Sequence, residues 1–239
     1  MDGADPTVTA RAQELVDRYG HLSGEALLRP LLEREFRGRI ALVSSFGAEA
    51  AVLLAMVAAV DRATPVLFLE TGKHFPETLR YRDRLIAALG LADVRSLVPD
   101  TDAVARQDPD GTLWQRAPDA CCHLRKVVPL AQALVPFEAW ISGRKRFHGG
   151  ERDALPAIET EGHRIKVNPL ASWTAADIEA QFRALGLPRH PLVADGYLSI
   201  GCAPCTARAA SAAAPRSGRW AELAKTECGI HQSLNSSGL

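Results

Sequence analysis

Short apolar runs alternate with helical patterns along most of the chain, and this alternation predicts a mostly parallel α/β sheet flanked by helices. Runs of β-formers read as strands at Ile40–Val43, Val66–Leu69, Val94–Val98, Ala139–Ser142 and Ile165–Val167. Apolar residues at helical spacing predict helices at Ala48–Val60, Pro76–Leu89, Leu124–Leu134 and Thr174–Leu185. Thr174 and Asp177 form a capping-box pattern at the start of the last helix, and Gly186 and Pro188 stop it. Pro76 is placed to open its helix at the first position. An earlier helical pattern, Ser23 to Phe36, contains Pro30 and is expected to kink or split there. Ala207–Gly218 has weak periodicity and reads as a helix remnant followed by a loop. The polar tail after His231 is expected to be mobile. The division that follows is one domain over 1–220 and a C-terminal tail over 221–239.

Composition narrows the class. A chain of 239 residues with 47% hydrophobic and 23% charged residues suits one soluble globular domain. A formal net charge of zero gives no support to non-specific attraction for nucleic acid or a membrane surface. An anionic substrate would have to be met by local arginines and lysines. The longest apolar run, Ala50 to Val60, is too short for a bilayer span of roughly 20 residues. The polar, acidic N-terminus lacks the layout of a signal peptide, so a cytoplasmic location is expected. Structural disulfides are rare there, and five cysteines then need another explanation.

Two loops carry candidate ligand chemistry. The strand R-I-A-L-V runs into S-S-F-G-A-E and then a helix, a small-residue turn that exposes backbone N–H groups to phosphate or sulfate. Ser44 and Ser45 add hydroxyl donors, and Gly47 permits close approach of a ligand. A plain strand-to-helix turn explains this loop equally well when it is taken alone. The second strand ends in L-E-T-G-K-H-F-P-E-T, where Thr71 and Gly72 are candidates to contact a nucleotide. His74 reads as a solvated loop residue.

The cysteines are more pointed. Cys121 and Cys122 are adjacent, Cys202 and Cys205 form C-A-P-C, and Cys228 stands in E-C-G-I-H. Two close-spaced pairs suit zinc or an iron–sulfur cluster. Adjacent cysteines make an awkward zinc knuckle, whereas on a helical turn they diverge by about 100° and a larger cluster could engage both. Buried free thiols would account for one cysteine but poorly for five. A redox C-x-x-C would leave Cys121, Cys122 and Cys228 without a role. Lys225 and His231 flank Cys228 at three residues on either side and are expected to favour its thiolate.

In order along the chain stand S-S-F-G-A-E, E-T-G-K-H-F-P-E-T, C-C-H-L-R-K, W-I-S-G-R, C-A-P-C and E-C-G-I-H. From Ile40 to His231 this set resembles the assimilatory sulfonucleotide reductases, a branch of the adenine-nucleotide α-hydrolase-like superfamily. It is most similar to the iron–sulfur, thioredoxin-dependent adenylyl-sulfate reductases. The resemblance implies that Cys121, Cys122, Cys202 and Cys205 ligate a 4Fe–4S cluster and that Cys228 is the nucleophile. It puts Lys126 between the cluster and the substrate sulfate, and makes Arg216 and Arg219 phosphosulfate-binding residues. Ser44, Ser45, Gly47, Thr71 and Gly143 would line the nucleotide site, and His231 would approach the substrate when the tail closes.

The run R-K-R-F-H-G-G-E-R departs from the family pattern, so the substrate arginine is Arg152 or its competitor Arg144. A solvated basic turn accounts equally for Arg144, Lys145 and Arg146. The implied reaction is reduction of adenosine 5′-phosphosulfate (APS) to sulfite and AMP through a cysteine S-sulfonate, with thioredoxin or a glutaredoxin-like protein as donor and a homo-oligomer as the assembly. Three alternatives remain open. One is a reductase for the 3′-phosphorylated nucleotide (PAPS). Another is an ATP-using member of the superfamily, although Phe46 and Ala48 break the S-G-G-x-D-S pattern of those enzymes. The third is a non-catalytic zinc-stabilised module.

Overall fold

The computed structural model describes residues 5–211, 214–221, 225 and 227–231. Helices α1 (Pro6–Tyr19) and α2 (Gly24–Pro30) precede strand β1 (Ile40–Ser44). The chain then alternates α3 (Ala50–Val60), β2 (Val66–Leu69), α4 (Pro76–Leu89) and β3 (Val94–Leu97). Short helices α5 (Thr101–Gln107), α6 (Leu113–Arg116), α7 (Pro118–Cys122) and α8 (Val128–Ala133) lead to β4 (Ala139–Ile141). A hairpin of β5 (Ile158–Glu161) and β6 (Arg164–Val167) and then α9 (Ala175–Ala184) follow.

Among the described residues six strands form one sheet in the order β3-β2-β1-β4-β6-β5, parallel throughout except for β5, which runs antiparallel to β6. Alternate residues of the central strands go to opposite faces, and both faces are buried, which is why these strands read as continuous apolar runs. Leu42, Phe68, Ile141 and Val167 face the larger core beneath α2, α3, α4 and α9. Ala41, Leu67, Leu69 and Trp140 face a smaller core under α8.

Proline sets two irregularities. Pro30 lies at the end of α2, and the chain continues as a wide turn, Leu31–Glu35, in which Phe36 N–H bonds Leu31 O. The expected helix Leu124–Leu134 is also interrupted: His123–Val127 forms a wide turn in which Val128 N–H reaches back to His123 O. Pro129 in the next turn has no N–H to offer, so the regular ladder cannot run through. The described residues of 207–218 form no helix, which corrects that expectation. Thr206 instead pairs antiparallel with Arg219, and Ala207 N–H bonds Gly218 O at 2.7 Å. Of the expected tail, Cys228 and Glu227 are buried and Ile230 packs on the α8-side core, while residues 232–239 lie outside the described residues.

Candidate active site

β1, β2 and β4 are neighbours, and the loops leaving their carboxyl ends open onto one cavity of about 210 Å³. The strand order reverses between β1 and β4, where open α/β sheets form ligand crevices. Ser44, Ser45, Gly47, Gly143, Lys126, Arg152, Arg216, Arg219, Cys228 and His231 all line this cavity. Sites scattered over more than 180 residues of sequence thus come together.

The loop after β1 is held in an unusual shape. Phe46 adopts φ 48 with its ring fully buried edge-on to Phe68, and its N–H donates to Ser44 Oγ at 3.2 Å. A left-handed non-glycine residue costs on the order of 1–3 kcal/mol, and burial of this ring offsets it. A Cβ on Gly47 would stand 2.9 Å from the Ile200 carbonyl. Gly47 therefore also permits a close approach by backbone, besides lining the cavity.

Thr71 is placed differently from the expectation. It is fully buried, does not line the cavity, and its hydroxyl lies 3.3 Å from Cys202 Sγ, so it belongs with the cysteines. His74 is no solvated residue: Nε2 donates to Leu69 O at 2.8 Å and its ring lies on Phe68. Of the basic turn, Lys145 is buried and Arg144 half-buried, while Arg146 is exposed. Arg144 pairs with Glu159, Lys145 Nζ with Glu49 Oε2 at 2.7 Å, and Arg146 Nε donates to Leu155 O at 2.8 Å.

Cys228 is buried against Trp220 and Cys122. Its thiol is held well below the ordinary range, first by a hydrogen bond from the Cys122 thiol. Burial opposes this, and the Lys126 ammonium, the Ile230 N–H and Arg219 reinforce it. Burial alone would lower Lys126, but the sulfurs of Cys228, Cys202 and Cys122 outweigh it and keep the ammonium charged. The leading causes on Cys228 do not include the flanking cations. Lys225 is paired with Asp119, and burial beside Lys166 and Arg144 keeps His231 neutral. His231 stacks on Trp140 at 6.1 Å and 7°, with Nδ1 buried and unpartnered.

Cys121, Cys122, Cys202 and Cys205 line a second, smaller cavity together with Lys126. None of them is in a disulfide, and burial pushes the thiols of Cys121 and Cys205 up. Among the described residues no three His, Cys, Asp or Glu side chains converge as a set for a single metal ion. Four sulfurs set around a space, with no nitrogen or oxygen donor among them, fit a multi-iron cluster better than one ion. Arg125 braces this wall, donating to Thr71 O at 2.8 Å and to buried Asp108 at 2.6 Å.

Sequence reasoning missed Glu49, Lys145, Trp140 and Glu227, all of which line the main cavity. For Glu227 a signal was available, since an acidic residue directly before the candidate nucleophile is poorly explained by solvation alone. The others become visible only through partners distant in sequence.

Residues 39–208 match the family model of the phosphoadenosine phosphosulfate reductase domain. The chain is 53% identical over 230 residues to an adenosine 5′-phosphosulfate reductase of Mesorhizobium japonicum, covering 96% of this chain and 91% of the relative. Among solved structures it resembles a phosphoadenylyl-sulfate reductase of Candida auris in a phosphate complex, with TM-score 0.70 and 26% identity, covering 86% of this chain and all of that one. A yeast FAD synthetase shares the fold alone, with TM-score 0.56 and 17% identity over 88% of this chain and 71% of that one. The chain belongs to the phosphoadenosine phosphosulfate reductase family.

Proposed function

We propose that this protein reduces adenosine 5′-phosphosulfate to sulfite and AMP, with Cys228 as nucleophile and thioredoxin or a glutaredoxin-like protein as the electron donor. The observation that carries the reading is a cysteine, Cys228, in the wall of a cavity that also presents Lys126, Arg152, Arg216 and Arg219. Similarity to the Mesorhizobium japonicum enzyme, named for that nucleotide, supports APS over its 3′-phosphorylated form. The named substrate of the Candida auris structure keeps the latter as the second reading.

Ser44, Ser45 and the start of α3 bind the nucleotide phosphate in this scheme. Cationic side chains neutralise the sulfate oxygens, which would otherwise repel a thiolate, and stabilise the charge gained by departing AMP. Cys228 Sγ attacks the sulfate sulfur; an S–S bond forms, the sulfur–oxygen bond to AMP breaks, and AMP leaves with the electron pair. A thioredoxin thiolate then attacks Cys228 Sγ and releases sulfite, and its second thiol resolves the mixed disulfide, restoring the Cys228 thiolate. Two electrons pass from dithiol to sulfur. Neutral His231 covers the cavity from its seat on Trp140.

Cys121, Cys122, Cys202 and Cys205 would hold a 4Fe–4S cluster, whose chemistry there would be to tune the charge around Lys126. As a cluster ligand Cys122 would have no proton to donate, and Lys126, the Ile230 N–H and Arg219 would remain to stabilise the Cys228 thiolate. A cytoplasmic location and a homo-oligomeric assembly belong to the same proposal. Among the described residues no helix is long and apolar enough to cross a membrane.

The test is sulfite release from APS with thioredoxin, on anaerobically purified wild type and Cys228→Ser, with iron and acid-labile sulfide measured on the same samples. The expected result is about four iron and four sulfide per chain in both proteins, and no turnover in the variant. Zinc without sulfide, or sulfite at the normal rate from Cys228→Ser, overturns the proposal.

A further inference from the structure

Glu227 is the residue directly before the nucleophile, and nothing in the reaction above uses it. Its side chain is 7% exposed and lies in the wall of the main cavity. Arg152 holds it from two sides: Nη2 donates to Oε2 at 2.9 Å, and Nε donates to Oε1. Arg216 Nη2 stands 3.5 Å from Oε2. The remaining Arg152 nitrogen, Nη1, lies 3.1 Å from His148 Nδ1. Arg152 ends a short turn, Gly150–Arg152, so the contact spans 75 residues of sequence.

We propose that Glu227 is the positioning residue for the nucleophile: its carboxylate, clasped by Arg152 and Arg216, docks the C-terminal segment so that Cys228 faces the substrate. The proposal deepens the reductase reading and rests on it. A two-point guanidinium–carboxylate pair fixes orientation as well as distance. Consecutive Cα atoms are about 3.8 Å apart, so a carboxylate fixed in this way leaves the neighbouring thiol little room to wander. Burial opposes ionisation of Glu227, yet the bonds and charge of Arg152, with Arg216, hold its carboxyl below the usual range. The same burial, with Arg152 next to it, pushes Arg216 down to about 10. Both guanidiniums reach the same carboxylate, so in this structure the tail itself supplies the anion that sits against them.

That arrangement makes opposite demands on binding and on chemistry. A fixed carboxylate in a cavity for an anionic nucleotide weakens ground-state binding, while the docking it provides favours attack. A misplacement of about 1 Å at a reacting centre can cost on the order of a hundredfold in rate. Glu227→Gln keeps the shape and removes the charge. Its kcat should fall by roughly 30- to 100-fold, while KM for the nucleotide stays level or falls. Glu227→Asp keeps the charge but draws it back by one methylene, and its kcat should lie between Glu227→Gln and wild type. A merely structural role would lower melting temperature and active fraction without separating kcat from KM in this way.

The experiment measures steady-state kinetics with APS and thioredoxin on cluster-loaded wild type, Glu227→Gln and Glu227→Asp. In parallel, iodoacetamide labelling of Cys228 in ligand-free protein is followed by peptide mass spectrometry. Release of the segment should speed labelling of Cys228 at least about tenfold in Glu227→Gln, because the wild-type side chain is buried. Unchanged kcat in Glu227→Gln, a kcat loss matched by a rise in KM, or unchanged labelling overturns the proposal. If wild type itself makes no sulfite from APS, the functional reading fails instead, and the labelling comparison still decides whether Glu227 docks Cys228.

Discussion

Glu49 stands where the loop after β1 turns into α3, with Lys145 Nζ at 2.7 Å and His148 Nε2 at 3.2 Å from the same oxygen. Burial works against its charge, but Lys145 and His148 outweigh burial and hold the carboxyl at about 2. The cavity therefore carries a permanent negative charge at this end, offset by a lysine it immobilises. Glu49→Gln removes the anion and leaves the Lys145 ammonium, still donating to Gly143 O at 3.0 Å, without a charge partner and able to meet an added phosphate. We expect kcat/KM for the 3′-phosphorylated nucleotide, relative to APS, to rise roughly tenfold, as one charge at moderate effective dielectric would give. An unchanged ratio between the two nucleotides would sink the idea. Residues of this kind were not legible beforehand, since Glu49 in S-S-F-G-A-E could equally have been a solvated helix-start carboxylate. The cysteines, by contrast, were conspicuous because free thiols are few and their spacing is unusual.

At the scale of elements, boundaries with a local chemical cause were legible. Pro76 opens α4 as expected, and Gly90 closes it at φ 63. At α9 the Thr174 hydroxyl accepts from Asp177 N–H at 3.2 Å, and the Asp177 carboxylate accepts from Thr174 N–H at 2.8 Å. Both ends of this box are exposed, so it acts on the helix alone. Thr174→Ala should cost about 1 kcal/mol in a denaturant melt while leaving nucleotide binding as it was. A loss below about 0.3 kcal/mol would show that packing of Ile178 and Phe182 fixes the helix start without the cap. Strand β5 was missed because I-E-T-E carries a single large apolar residue, and its pairing to β6 depends on Gly162 at φ 60 between them. Helices α5 to α7 were missed for a related reason: each has at most seven residues, too few to show a helical period.

Across the whole molecule, α4 is tied to the chain beyond α9 through one buried imidazole. His190 is 1% exposed, with Nε2 3.0 Å from Thr78 Oγ1 and its ring edge-on to Tyr81 at 4.9 Å. Tyr81 OH donates to Pro188 O at 2.8 Å in the same joint. Nδ1 accepts from Leu192 N–H at 3.2 Å, so Nε2 carries the proton and donates to Thr78. Adding a second proton would destroy that acceptor and bury a charge. Burial accordingly pushes His190 down to about 4, with Glu77 opposing only weakly. The folded state then stays neutral at a pH where the unfolded chain, with an ordinary value of about 6.5, takes up a proton. Stability from this group is complete above about pH 7 and is lost as pH falls from about 6.5 towards 4, reaching about 3 kcal/mol when both states are protonated. Between pH 7 and 5.5 the contribution is about 1 kcal/mol. His74, His148 and His231 are also depressed and add slopes of the same sign, so the informative quantity is a difference between two proteins. Denaturant melts of wild type and His190→Gln at pH 7 and pH 5.5 should show wild type losing about 1 kcal/mol more than the variant. Parallel losses would mean that His190 is protonated in the folded protein with Nδ1 turned away from Leu192, and the joint between α4 and the chain beyond α9 would then have to be held by Tyr81 alone.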